Sequence, residues 1–349
     1  MSERLTELTH WLGNLFGAEK FQIAPASADA SFRRYFRVYR NDATQIVMDA
    51  PPDKEDSRPF VALSREFRSF GLNVPEVLEA DLARGFLLLT DLGTEPYLPR
   101  LGPATADRLY GDALSALMAL QACGPVDAFR VPPYDARLLT FELSLFRDWF
   151  LGRHLGLVLG EGTLALLEET FALLTTSALE QPVVCVHRDY HSRNLMVTGK
   201  HNPGILDFQD AVAGPVTYDL VSLLRDCYIA WPQEQVRDWA LGYHDLALQA
   251  GVIREEDPER FLGWFDRMGI QRHLKAIGIF ARLNHRDGKP GYLGDIPRTL
   301  GYVLAVSARY PDLVPFHNWL CAEVLPRVEN VPFIPNSLLR EAVPSITPG

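Results

Sequence analysis

The chain has 349 residues, 47% hydrophobic and 22% charged, with a formal net charge of −10. That length is enough to bury a large core and to build two lobes, and the acidic balance argues against broad, sequence-independent binding to nucleic acid, leaving local basic clusters able to grip phosphate. No apolar run approaches a membrane span. The first residues, MSERLTELTHWLGNLFG, lack the apolar core and small-residue cleavage site of a secretory signal. Cys123, Cys185, Cys227 and Cys321 form no C-x-x-C pair, which suits reduced thiols in a cytoplasmic protein.

Taken in order, Leu5, Leu8, Leu12, Leu15 and Phe16 recur at helical spacing and predict a first amphipathic packing helix. Strand-like runs follow at 21–24, 32–39 and 44–48, separated by residues 27–30 and by an Asn41-Asp42 turn, and read as an antiparallel meander. Phe60, Leu63, Phe67 and Phe70 then predict a helix stopped by Gly71, with Glu66 beside the stripe. Residues 74–80 and 85–90 predict two more strands. Asp91-Leu92-Gly93 breaks this pattern, and helices are expected at 104–121, 140–155 and 162–179. Further helices are expected at 218–230, 234–250, 258–284, 296–309 and 313–328, before a Pro-rich tail. The class is therefore α+β. A small antiparallel-sheet lobe with its hinge occupies residues 1–93, and a larger, mainly helical lobe occupies 94–349. A cleft between two lobes is where a ligand is expected.

The polar residues that bear chemistry gather between two of these helical regions, in VVCVHRDYHSRNLMVTGKHNPGILDFQDAVAGPVTYDL. Short apolar runs at 183–186, 195–197 and 205–206 predict strands buried on both faces, and Asp189, Asn194 and Asp207 stand at their ends. Rigid strands are suitable supports for a charge-handling site, and carboxylates buried there need a cation or a partner. The pattern His187-x-Asp189-x-x-x-x-Asn194, with Asp207 closing the next strand, suits phosphoryl transfer. Asp189 is placed to accept a hydroxyl proton, and Asn194 and Asp207 offer the hard oxygen donors that Mg²⁺ prefers. His187 and His191 have the spacing of a zinc-helix pair, but Arg188 stands where that motif needs Glu, and a strand lies where it needs a helix.

With these motifs in view, the sequence resembles the kinase superfamily, and within it the aminoglycoside phosphotransferase and choline kinase-like branch. The resemblance runs through the sheet lobe, hinge, HRDYHSRN, LDFQD and GPVTYDL. It implies an ATP- and Mg²⁺-dependent phosphotransferase, with Asp189 as catalytic base, Asn194 and Asp207 as metal ligands, Asp219 as a brace of the catalytic loop, and Thr90, Asp91 and Leu92 as the hinge that holds adenine. The stretches SFRRYFRV, IVMDAPP, LLRDCYIAWP and RLNHRDGKPGYLGDIPR are similar to one group in particular, the anomeric sugar kinases of bacterial cell-wall recycling. These phosphorylate N-acetylmuramate and N-acetylglucosamine at C1. The implied partner is a small amino sugar, with no nucleic acid, membrane or obligate protein partner.

Two departures from the kinase pattern stand out. SADASFRR has no glycine where a phosphate loop is usual, and QIVMDA places Met48 or Asp49 near the usual lysine of the third strand. Main-chain N–H groups at 29–32, including those of Ser31 and Phe32, offer an anion nest, and Arg33 or Arg34 offers the missing cation. Glu66 pairs with one of these arginines or has no catalytic role. On the acceptor side, a sugar pocket calls for flat rings and forked polar groups. His191, Arg225, Asp226, Tyr228 and Trp231 supply one set, and Arg282 and His285, with Arg286 and Lys289, a second, basic one in which an arginine is able to hold a lactyl carboxylate. An aminoglycoside or choline-type acceptor, and a nucleotide-binding pseudokinase, are the alternative readings.

Overall fold

The computed structural model of the chain describes residues 3–28, 32–41, 43–122 and 131–329. They divide into two compact units, one drawn from Met1–Leu120 and Arg193–Asp210, the other from Gln121–Ser192 and Ala211–Gly349. Among the described residues no helix is long and apolar enough to cross a membrane.

The first unit is a five-stranded antiparallel sheet with three α-helices on its chain path. Helix α1 (Glu3–Phe16) precedes β1 (Gln22–Ala28), β2 (Arg34–Arg40) and β3 (Ala43–Asp49). After α2 (Arg58–Ser69) come β4 (Val77–Asp81) and β5 (Phe86–Thr90), and the spatial order is β1-β2-β3-β5-β4. The 3.6-residue stripe of α1 buries Leu8, Trp11, Leu12 and Phe16 against Val38, Val47, Phe86 and Leu88 of the sheet. Each such side chain contributes roughly 1.5–3 kcal/mol by leaving water.

A short hairpin, β7 (Leu195–Met196) with β8 (Gly204–Ile205), joins this unit through main-chain bonds. Tyr97 N–H donates to Leu195 O at 2.8 Å, Val197 N–H to Glu95 O at 2.8 Å, and Ile205 N–H to Asn73 O at 2.8 Å. The Asn202 amide donates to the Tyr97 hydroxyl at 2.6 Å and to Asp112 at 2.8 Å. These bonds are why 193–210 belongs with the sheet even though it is distant from it in sequence.

The second unit is helical. Helix α3 (Ala106–Ala122), which belongs to the first unit as far as Leu120, leads up to it, followed by α4 (Ala136–Leu145), which continues as a π-helical segment Phe146–His154, and by α5 (Glu161–Leu179). Strand β6 (Val183–Val186) pairs antiparallel with β9 (Val212–Pro215). Then come α6 (Tyr218–Leu224), α7 (Gln233–Gln249), α8 (Pro258–Asp287), α9 (Ile296–Ser307), α10 (Val314–Trp319) and α11 (Leu325–Glu329). Helix α8 starts with the Asp257 side chain accepting from Glu259 N–H at 3.0 Å and Pro258 in the first turn, and stops at Gly288 in the left-handed region. It is buried for most of its 30 residues. At Gly278 it crosses so close to residues 145–146 that a Cβ would lie 2.4 Å from the Leu145 carbonyl carbon, so only glycine fits.

Several expected elements differ in detail. Val183 is 59% exposed, so β6 is not buried on both faces as its apolar composition suggested. The helix expected over 218–230 ends at Leu224, because the next residues turn their polar groups inward rather than continuing an apolar stripe. The helix expected over 140–155 begins earlier, at Ala136, capped by Asp135, whose side chain accepts from Leu138 N–H at 2.9 Å.

Candidate active site

Residues 187–192 of the polar loop lie in the helical unit. Beyond β6 the chain turns sharply, and Arg188 takes φ 77°, a left-handed conformation that costs a side-chain-bearing residue about 1–3 kcal/mol. Asp219, in the first turn of α6, clamps this turn: its two oxygens accept from His187 N–H at 2.6 Å and Arg188 N–H at 3.0 Å. Burial pushes the Asp219 carboxyl up to about 7, against the pull of these two donors. The brace expected at Asp219 thus has its bonds in place.

Asp189 follows directly, with its N–H donating to His187 Nδ1 at 3.3 Å. Burial alone would raise its pKa, but the charges of Lys275, His191, Arg272 and Arg188 together outweigh burial and hold it below the ordinary aspartate value. The carboxylate is therefore anionic at neutral pH. None of Lys275, Arg272 and Glu142, which shape this field, stands out in the sequence. They come from α8 and α4, far away along the chain, and only the fold gathers them. Lys275 lies 3.0 Å from Glu142 and donates to the Tyr218 hydroxyl at 2.8 Å. Burial would discharge the lysine, but Glu142, Tyr218 and Asp189 together outweigh it and keep the ammonium charged. Arg272 is buried beside the Tyr218 ring, and its Nε has no hydrogen-bond partner among the described residues.

Asp226 ties the far end of the loop. It accepts from Ser192 N–H at 3.0 Å and from the Ser192 hydroxyl, and also from Tyr228 N–H at 3.0 Å. This brings His191 and Tyr228 edge to face, with ring centroids 5.3 Å apart. Three of the residues expected on the acceptor side therefore sit together. Others are engaged differently. Arg225 lies over the Phe265 ring and pairs with buried Asp266 at 2.6 Å. Trp231 meets Trp239 edge to face at 5.6 Å. His285 meets His154 at 3.2 Å, and Arg286 pairs with Asp287 at 2.8 Å.

The two expected metal ligands lie in the sheet unit. Leu206 N–H donates to Asn194 O at 2.9 Å, which sets the two chain segments side by side, and Asn194 Nδ2 then stands 3.5 Å from Asp207 Oδ2. Gln209 Nε2 donates to Asp207 Oδ1 at 2.7 Å. Phe208, fully buried, anchors Asp207 from the next position, its ring 4.8 Å from Phe60 and 5.8 Å from Phe67 of α2. The donor set of one carboxylate and one amide fits Mg²⁺, which keeps several waters and phosphate oxygens of its own. Among the described residues no group of three or more His, Cys, Asp and Glu is placed to hold a metal.

In the rest of the sheet unit the expected nucleotide contacts are largely engaged within the protein. Asp49 is fully buried and accepts from both Arg34 and Arg4. Arg33 pairs with Glu55 at 2.9 Å, and Glu55 also accepts from Phe32 N–H at 3.3 Å, while the Phe32 ring is exposed. Glu66 is half-buried and makes no ion pair among the described residues, so neither arginine is its partner. Thr90 N–H donates to Glu76 O at 3.0 Å, and Arg37 holds Asp91 at 2.6 Å. Leu92 packs close against Gly204. Ser31 lies outside the described residues.

This geometry has clear relatives. The model of the phosphotransferase enzyme family matches residues 22–262. The N-acetylmuramate/N-acetylglucosamine kinase of Pseudomonas aeruginosa is 49% identical over 321 residues, covering 89% of this chain and 94% of that protein. The protein of the same name from Neisseria meningitidis serogroup B is 42% identical over 320 residues, covering 90% and 94%. In fold, the ADP-bound aminoglycoside phosphotransferase APH(2'')-Ib superposes with a TM-score of 0.54 at 15% identity, covering 85% of this chain and 97% of that one. The chain belongs to the phosphotransferase enzyme family. It is an enzyme that transfers a phosphoryl group to an alcohol.

Proposed function

We propose that the chain is a cytoplasmic, ATP- and Mg²⁺-dependent sugar kinase of peptidoglycan recycling, which phosphorylates the anomeric C1 hydroxyl of N-acetylmuramate and N-acetylglucosamine. The observation that carries this reading is the similarity, over nearly the full length of both chains, to proteins named N-acetylmuramate/N-acetylglucosamine kinases. The ADP-bound fold relative supports an adenine nucleotide as donor.

On this reading residues 1–93 serve the nucleotide, with Thr90, Asp91 and Leu92 as hinge, and residues 94–349 serve the acceptor. Asp189 takes the proton of the acceptor hydroxyl as that oxygen attacks phosphorus. Its depressed pKa makes it an acceptor throughout the neutral range. Asn194 and Asp207 hold Mg²⁺, which when bound neutralises charge on the phosphoryl group in transfer. His191, Asp226 and Tyr228 face the sugar, with Trp231 as a flat surface beside them. Arg225, committed to Asp266, positions this segment rather than gripping the ligand. Arg282 and His285 are assigned to the acidic side chain of N-acetylmuramate.

A coupled ADP-release assay with N-acetylmuramate, N-acetylglucosamine, an aminoglycoside and choline as acceptors tests the reading. The expected outcome is sugar-dependent release with a glycosyl phosphate resonance in the ³¹P spectrum. Release with the aminoglycoside or choline alone would replace the acceptor.

A further inference from the structure

Arg188 is the most strained residue of the catalytic loop and also one of the most tightly held. Its φ of 77° belongs to the region that glycine occupies freely and other residues avoid. Asp219 holds its main chain. Its side chain reaches Glu142 of α4, with Nη2 2.5 Å from Oε1. Glu142 is 2% exposed and is fixed from every side: the Tyr134 hydroxyl donates to it, Gln271 Nε2 donates at 3.4 Å, and Lys275 Nζ lies 3.0 Å away. Gln271 also donates to the Tyr134 hydroxyl at 3.2 Å.

A buried carboxylate between two cations is poor evidence of stabilisation, because desolvation offsets much of the attraction. Its value lies in geometry, since the bonds to Glu142 have one arrangement and Arg188 is the residue next to Asp189. We propose that Glu142 is a positioning residue. It pulls the Arg188 side chain inward, holds the left-handed turn against its own strain, and so fixes the direction of the Asp189 carboxylate. This rests on Asp189 being the base. The anchor is needed because residue 188 bears a side chain, and a glycine would keep the turn without it.

The test compares Glu142→Gln, Arg188→Ala, Arg188→Gly and the double variant Glu142→Gln/Arg188→Gly in the full chain, with N-acetylmuramate and ATP as substrates. Misdirection of the base by a fraction of an ångström is expected to lower kcat about tenfold or more in Glu142→Gln and Arg188→Ala, with both KM values within about twofold of wild type. Arg188→Gly loses the same guanidinium as Arg188→Ala but keeps the turn, so it should retain several times the kcat of the alanine variant, and adding Glu142→Gln to it should cost nothing further. Amide hydrogen exchange at 187–190 reads the same turn without catalysis. It should quicken in Glu142→Gln and Arg188→Ala, and Glu142→Gln should add no quickening in the glycine background. Equal loss in the alanine and glycine variants, or a Glu142→Gln effect that persists beside Gly at 188, overturns the proposal even if Glu142→Gln folds poorly. If Asp189→Asn kept wild-type activity, the base assignment would fail instead, and the exchange data would still decide whether Glu142 holds the turn.

Discussion

Along α8, residues 271–275 and residues 282–287 carry similar side chains in opposite surroundings. The middle stretch offers Arg272, His273 and Lys275, all buried. The last turns offer Arg282, His285 and Arg286, half-buried or exposed. In the middle, each charge or ring has a structural consequence: Lys275 answers Glu142, His273 Nε2–H donates to the Arg225 carbonyl at 2.9 Å, and the cations depress Asp189. At the end, Arg286 pairs with its own neighbour Asp287. Counting charges marks the second stretch as the basic one, but depth decides which charges act on the chemistry, because the interaction between two charges grows as water is excluded.

The largest expected effect sharpens that contrast. Lys275→Met leaves Glu142 short of a partner in the interior and is predicted to lower stability by about 3 kcal/mol in urea unfolding, whereas Arg286→Met should change it by less than about 0.5 kcal/mol. Equal losses would erase the distinction between the two stretches.

The next effect is a displacement in pH. Lys275 is the foremost of the charges that pull Asp189 down. Without it the carboxylate protonates at a higher pH, so the acid limb of the kcat/KM profile of Lys275→Met moves upward, while that of Arg286→Met stays in place. A limb that moved downward in Lys275→Met would contradict the sign of this field.

Smaller effects concern ligand grip. Arg282 is half-buried. Arg282→Ala is predicted to raise KM for N-acetylmuramate about fivefold, the scale of one partly solvated ion pair, and to leave N-acetylglucosamine, which has no carboxylate, nearly unchanged. Equal shifts for both sugars would remove Arg282 from the acidic group. Smallest of all, Glu55 occupies Arg33 and the Phe32 N–H. Glu55→Gln should free them for phosphate and lower KM for ATP about twofold, measured by ADP release, and a rise in KM would show that the pair supports the nucleotide instead.

Much of this was legible in the sequence where a signal is local. The β6 strand matches its apolar run residue for residue, and the loop from His187 to Asn194 announces itself by the residue types a phosphoryl transfer needs. The stripe of Phe60, Leu63 and Phe67 gave α2, and Pro258 gave the start of α8. What was not legible depends on distant partners. Glu142 looks like an exposed helix residue among ELSLF until Arg188 and Lys275 close on it from other elements. Asp49 appears as a departure from the kinase pattern, and only its pairing with Arg4 and Arg34 shows what it does. The position of β5 between β3 and β4, and the bonds that draw 193–210 to the sheet unit, follow from pairings that no local periodicity encodes.

On the proposed reading the Asp189 carboxylate, held by its surroundings, removes the proton of a sugar hydroxyl. Turnover of N-acetylmuramate by Asp189→Asn tests it most directly. The predicted result is a fall in kcat of about a hundredfold or more with the KM for ATP near that of wild type, and turnover within a few-fold of wild type would contradict it.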